Sequence, residues 1–69
     1  MSEIEQLKTR IDNAGMIGLK TSHIRDDYEP VGDLMIRQLL DSGQYISRKT
    51  GSTYDKQWHI FNKRNDPGF

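Results

Sequence analysis

The sequence predicts a small α+β domain, with three helices and a short three-stranded antiparallel sheet that ends in a β-hairpin. Apolar residues recur at helical spacing near the N-terminus and again over 31–42, and each run is closed by a glycine. Two alternating stretches, 44–49 and 57–62, flank a segment rich in turn formers, which is the pattern of a hairpin. A length of 69 residues allows one domain with a thin core, because 33% of the residues are hydrophobic and 29% charged.

The first helix is predicted over 3–13. Ser2 opens a capping box with Glu5, and Ile4, Leu7 and Ile11 share a face that Ala14 continues. Glu3 and Glu5 favour its N-terminal end, and Asn13-Ala14-Gly15 stops it. Residues 16–21 are too short and too interrupted by glycine for a helix; Ile17 and Leu19 fall on one side of a short strand. Thr21 or Ser22 then caps a short helix starting at His23, with Ile24 and Tyr28 on its buried face and Glu29-Pro30 at its end. Pro30 suits the first turn of the next helix, which runs to Ser42 and stops at Gly43. Its apolar side carries Val31, Met35, Ile36, Leu39 and Leu40.

Residues 44–49 and 57–62 make the hairpin, with 50–55 as a long polar tip. Trp58 and Ile60 share one face of the last strand and are expected in the core with Ile46. Tyr45 and Phe61 are then partly exposed, and with Leu34 they offer a modest apolar patch. The domain is expected to span 1–64, with 65–69 as a frayed tail.

This order of elements resembles the winged helix-turn-helix fold over residues 3–63. Thr21-Ser22-His23-Ile24 stands where such domains cap their second helix, and IRQLLDSG (36–43) resembles the end of a third helix closed by glycine. Tyr45-Ile46-Ser47-Arg48 enters the wing and Trp58-His59-Ile60-Phe61 returns from it. The resemblance implies that the third helix offers its exposed face to the DNA major groove while the wing touches backbone or minor groove. On this chain that face holds Pro30, Asp33, Leu34, Arg37, Gln38 and Asp41. Arg37 and Gln38 suit guanine and adenine edges. Asp33 and Asp41, each one turn from Arg37 and able to pair with it, depart from the usual basic recognition helix and repel phosphate. In the wing, Arg48, Lys49, Lys56, Lys63 and Arg64 supply cations around Thr50, Ser52, Thr53 and Tyr54, whose hydroxyls and aromatic ring suit phosphate and base contacts. The same lysines also serve simply to keep an edge strand from pairing.

Charge follows the same division. Ten basic and ten acidic side chains cancel overall. Residues 1–43 carry five basic and eight acidic side chains, however, and 44–69 carry five basic and two acidic, so a polyanion is expected at the second part. The absence of cysteine excludes disulfides, thiolate metal sites and a cysteine nucleophile. No apolar run suits a membrane span or a signal peptide, and a cytoplasmic location is expected. His23, Asp26, Asp27 and His59 lack metal-ligand spacing, and neither a nucleophile elbow nor a phosphate-binding glycine loop is present, so no enzyme, metal or cofactor is expected. Two functions remain. One is a small DNA-binding regulator, expected to be a homodimer because one module of this size buries little surface on DNA. The other is a protein-binding module, an adaptor or an inhibitor of a nucleic-acid machine, that uses Asp33, Leu34, Arg37 and Asp41.

Overall fold

The computed structural model describes residues 2–52 and 55–65. Within them the order is α1 (Glu3–Asn13), β1 (Leu19–Lys20), α2 (Thr21–Asp27), α3 (Gly32–Asp41), β2 (Tyr45–Ser52), β3 (Asp55–Asn62) and a closing 3-10 turn (Lys63–Asn65). The three strands form one antiparallel sheet in the order β1-β3-β2, so the last strand is central. The expected class, three helices with a three-stranded antiparallel sheet, is the one observed.

Local chemistry accounts for the boundaries. The Ser2 hydroxyl accepts from the Glu5 N–H at 3.3 Å and starts α1 at the predicted residue. After α1 the chain stays coiled through 17, because the N–H groups of Ile17 and Gly18 both donate to the Ala14 carbonyl. Ile17 is therefore outside the strand and 74% exposed, not in the core, and β1 is two residues rather than six. Gly18 lies at φ +72°, where a Cβ would overlap the Ile60 carbonyl oxygen, so only glycine lets β1 settle against β3.

α2 begins at Thr21, two residues earlier than expected, with Lys20 as its N-cap and no side-chain cap. The strand runs directly into the helix, since Lys20 is already paired with His59, and the Thr21 and Ser22 hydroxyls have no cap to fill. Pro30 is not in the first turn of α3. It follows a cis peptide bond in a turn closed by the Val31 N–H on the Tyr28 carbonyl, and Val31 caps the helix. Gly32 lets α3 approach α2 closely, because a Cβ there would sit 2.7 Å from Arg25 Cα. Gly43, at φ +78°, ends α3 as the sequence predicts.

The core joins Leu7 and Ile11 of α1, Ile24 and Tyr28 of α2, and Met35, Ile36 and Leu39 of α3 to Tyr45 and Ile60 of the hairpin, with Ile4 and Leu19 packed at its margin. Leu7, Ile11, Ile24, Leu39 and Ile60 are fully buried. Each such side chain contributes about 1.5–3 kcal/mol on removal from water.

The hairpin pairs from Tyr45↔Asn62 to Ser52↔Asp55, so strand occupies most of the expected loop and only residues 53 and 54 lie between. Its register corrects the expected faces. Ile60 stands opposite Ser47, and Ile46 stands opposite Phe61. Because side chains alternate, Tyr45 rather than Ile46 joins the helix-facing core. Tyr45 is 5% and Phe61 2% exposed, so neither forms a surface patch. Trp58 shares the face of Ile60, but it lies two residues, about 7 Å, nearer the tip and is 50% exposed instead of buried.

Candidate nucleic-acid interface

The exposed face of α3 is the one the sequence indicates. Asp33, Leu34, Arg37, Gln38 and Asp41 all face solvent, as does Pro30 just before the helix. The expected pairing with Arg37 does not form, for among the described residues neither Asp33 nor Asp41 makes an ion pair with it. Asp33 instead accepts from Nε of Arg25 on α2 at 2.5 Å. The close approach at Gly32 brings those two side chains together, and it partly neutralises one of the two carboxylates that oppose a polyanion.

In the hairpin, alternation divides the cations between two faces. Lys49 is opposite Trp58 on the helix side, and Arg48 is opposite His59 on the far side. Both cations are exposed, and the Arg48 guanidinium lies 5.4 Å from the centroid of the Phe61 ring. The Thr50 hydroxyl turns to the buried His59, 2.8 Å from Nδ1, which is also 3.1 Å from the Gln57 carbonyl oxygen. Ser52 and Lys56 lie in the paired strands near the tip, at Ser52↔Asp55 and Gly51↔Lys56. Thr53 and Tyr54 are outside the described residues, as are 66–69 of the expected tail.

Lys63 and Arg64 do not gather at the tip. They follow Asn62 at the base of the hairpin, the far end of the ladder. There a polar network ties the sheet to α1. Asn62 is 3% exposed, donates from Nδ2 to Asp12 at 3.0 Å, and accepts at Oδ1 from the Gln44 amide at 2.7 Å and the Arg64 N–H at 3.1 Å. The Tyr45 hydroxyl donates to Asp12 at 3.4 Å, and Arg64 pairs with Asp12 at 3.6 Å. Burial, and then the Asp12 charge, raise the Tyr45 pKa above its ordinary value. A second clamp joins α1 to α2. Arg10 donates to the Tyr28 hydroxyl at 3.1 Å and to Asp27 at 2.9 Å, and the Tyr28 bond followed by the Asp27 bond raises the pKa of the guanidinium.

Between α3 and the hairpin runs an open groove of about 320 Å³ lined by Thr21, Arg25, Ile36, Leu40, Ser47 and Trp58. Four elements contribute to it, and helical spacing places Asp33 and Arg37 on the side of α3 that also carries Leu40. Among the described residues, none that lines it is acidic. A neighbouring hollow of about 280 Å³ contains Glu29 and Asp33 and suits a polyanion less well. Arg25, Leu40 and Trp58 are not among the residues the sequence indicates for a site. Trp58 is legible as a surface residue only through its distance from Ile60 along the strand.

Among the described residues no group of histidine and carboxylate side chains could hold a metal ion, and no helix is long and apolar enough to cross a membrane. Comparison with protein-family models, with curated proteins and with solved structures found no match for the chain.

Proposed function

We propose that the chain is a winged-helix domain that binds duplex DNA in a regulatory role, with α3 at the groove and the wing on the backbone. The observation that carries this reading is the surface between α3 and the hairpin. Arg37 on one side and Lys49 on the other are exposed, while Asp33, a carboxylate on the same side of α3, is held by Arg25. Arg37 and Gln38 supply donors for base edges, and Arg48, Lys49 and Lys56 supply cations for phosphate. Arg64 is turned toward Asp12, and it joins Lys63 as a lesser contributor at the hairpin base. A protein-binding role for the same helix is supported by Leu34, which is 67% exposed beside Asp33 on the face that also carries Arg37 and Asp41.

Titration of binding to a random-sequence duplex against salt separates the two. The DNA reading expects log affinity to fall linearly with log salt, with a slope of about −0.9 per phosphate contacted. Absence of binding at low salt would refute it and favour a protein partner.

A further inference from the structure

We propose that the groove between α3 and the wing receives an unpaired DNA base stacked on Trp58, so that the domain prefers DNA with a single-stranded tail over a blunt duplex. This rests on the DNA-binding reading and names the form of DNA the same surface selects.

The indole is 50% exposed, although a large apolar side chain on the helix-facing side of a central strand is ordinarily covered. It is held on a paired strand, opposite Lys49, so its place does not depend on a loop. Leu40, 37% exposed, and the nearly buried Ile36 form an apolar wall of the groove. Thr21 and Ser47 add hydroxyls that can accept from or donate to a base edge. Arg25 lines the groove, Lys49 stands opposite Trp58, and helical spacing puts Arg37 on the Leu40 side of α3, so the phosphates on either side of an inserted base would meet positive charge. Arg25 is shared with Asp33, which leaves Lys49 and Arg37 as the main phosphate contacts.

An aromatic face beside cations binds single strands with little regard for sequence, because every base has a π-face. The bases of an intact duplex are already stacked on one another. They reach a side-chain ring only after unpairing, which costs a few kcal/mol in a perfect duplex and nothing in a tail. The groove therefore discriminates by the availability of a base, whereas α3 and the wing supply the charge that any duplex satisfies.

Trp58 is the only tryptophan of the chain, so its fluorescence reports the groove alone. The protein is titrated with a blunt duplex, with the same duplex carrying an unpaired thymine tail, and with the free tail strand. Affinity is read separately by anisotropy of labelled DNA. We expect the tailed duplex to quench Trp58 and to bind more tightly than the blunt one. Trp58→Ala should lower affinity for the tailed duplex by roughly ten- to a hundredfold, with little change for the blunt duplex, and Trp58→Phe should retain most of the preference. Circular dichroism confirms that both variants fold, as expected for a half-exposed side chain. Equal, salt-dependent binding of blunt and tailed duplexes without quenching would overturn base stacking and leave the DNA reading in place. Failure to bind any of the three at low salt would overturn both.

Discussion

Asn62 and Tyr45 show how much a single polar side chain decides here. The sequence places Asn62 at the end of a strand and gives no reason to expect it inside. In the fold it is nearly covered and joins Asp12, fifty positions away, to Gln44 and the Arg64 backbone. Asn62→Ala leaves those partners incompletely bonded and should cost roughly 1–3 kcal/mol, measured by urea denaturation. Tyr45 gives a pH dependence with a definite sign. Its folded pKa is raised, first by burial and then by Asp12. Below the ordinary tyrosine value, about 10, it is neutral in both states and its contribution is complete. Above that value the unfolded chain ionises while the folded chain keeps the proton. The unfolded state then binds fewer protons, and stability is lost as the pH rises through the folded pKa. Tyr45→Phe should flatten the alkaline limb of stability against pH relative to the parent, and an unchanged limb would show that Tyr45 does not titrate on unfolding.

Among the elements, α1 and α3 are legible in the sequence because their signals are local. Ser2 with Glu5 and Gly43 act within one turn of the residues they cap. The faces of the hairpin are not. Tyr45-Ile46 and Ile60-Phe61 each put an apolar residue on both faces, so alternation alone admits two registers, and one step exchanges Ile46 for Tyr45. Only the helices, by covering Tyr45, decide between them. β1 depends on Gly18 in the same non-local way. Gly18→Ala drives its methyl into the Ile60 carbonyl in a left-handed conformation, whereas Gly15→Ala, at φ +60° with nothing within 4 Å, meets only the conformational cost. The second change should cost about 1–2 kcal/mol and the first clearly more. Hydrogen exchange at Leu19 and Lys20 should show β1 released only by the first. On α3, Asp41→Asn should tighten non-specific duplex binding about twofold at low salt, with no measurable change in stability. Asp33→Asn also frees Arg25 from an exposed pair worth about 0.2–1 kcal/mol. Its gain in binding should exceed that of Asp41→Asn if Arg25 then reaches phosphate.

At the scale of the molecule, the charge division legible in the sequence survives folding only in part. Arg48 and Lys49 remain exposed in the outer hairpin, while Lys63 and Arg64 are carried to its opposite end. The proposed binding surface is therefore a composite of α3 and the outer hairpin rather than of the whole basic segment. Replacing Arg48, Lys49 and Lys56 with alanine should weaken duplex binding and flatten its salt slope by about 0.9 for each phosphate the variant no longer neutralises. An unaltered slope would remove the wing from the interface. The groove is not legible at all, since its walls come from positions 21 to 58 and no local pattern relates Thr21 to Trp58.

The order β1-β3-β2 also bears on how the chain is made. Synthesis delivers α1, both edge strands and the two other helices before the strand that must lie between those edges. Until residues 55–62 leave the ribosome, Leu19 and Tyr45 have no sheet to join, and Asp12 lacks its Asn62 partner. Domains commonly close from the N-terminus as they emerge. This one cannot complete its sheet until the central strand arrives, so until then the core around Leu7, Ile11 and Leu39 lacks Ile60.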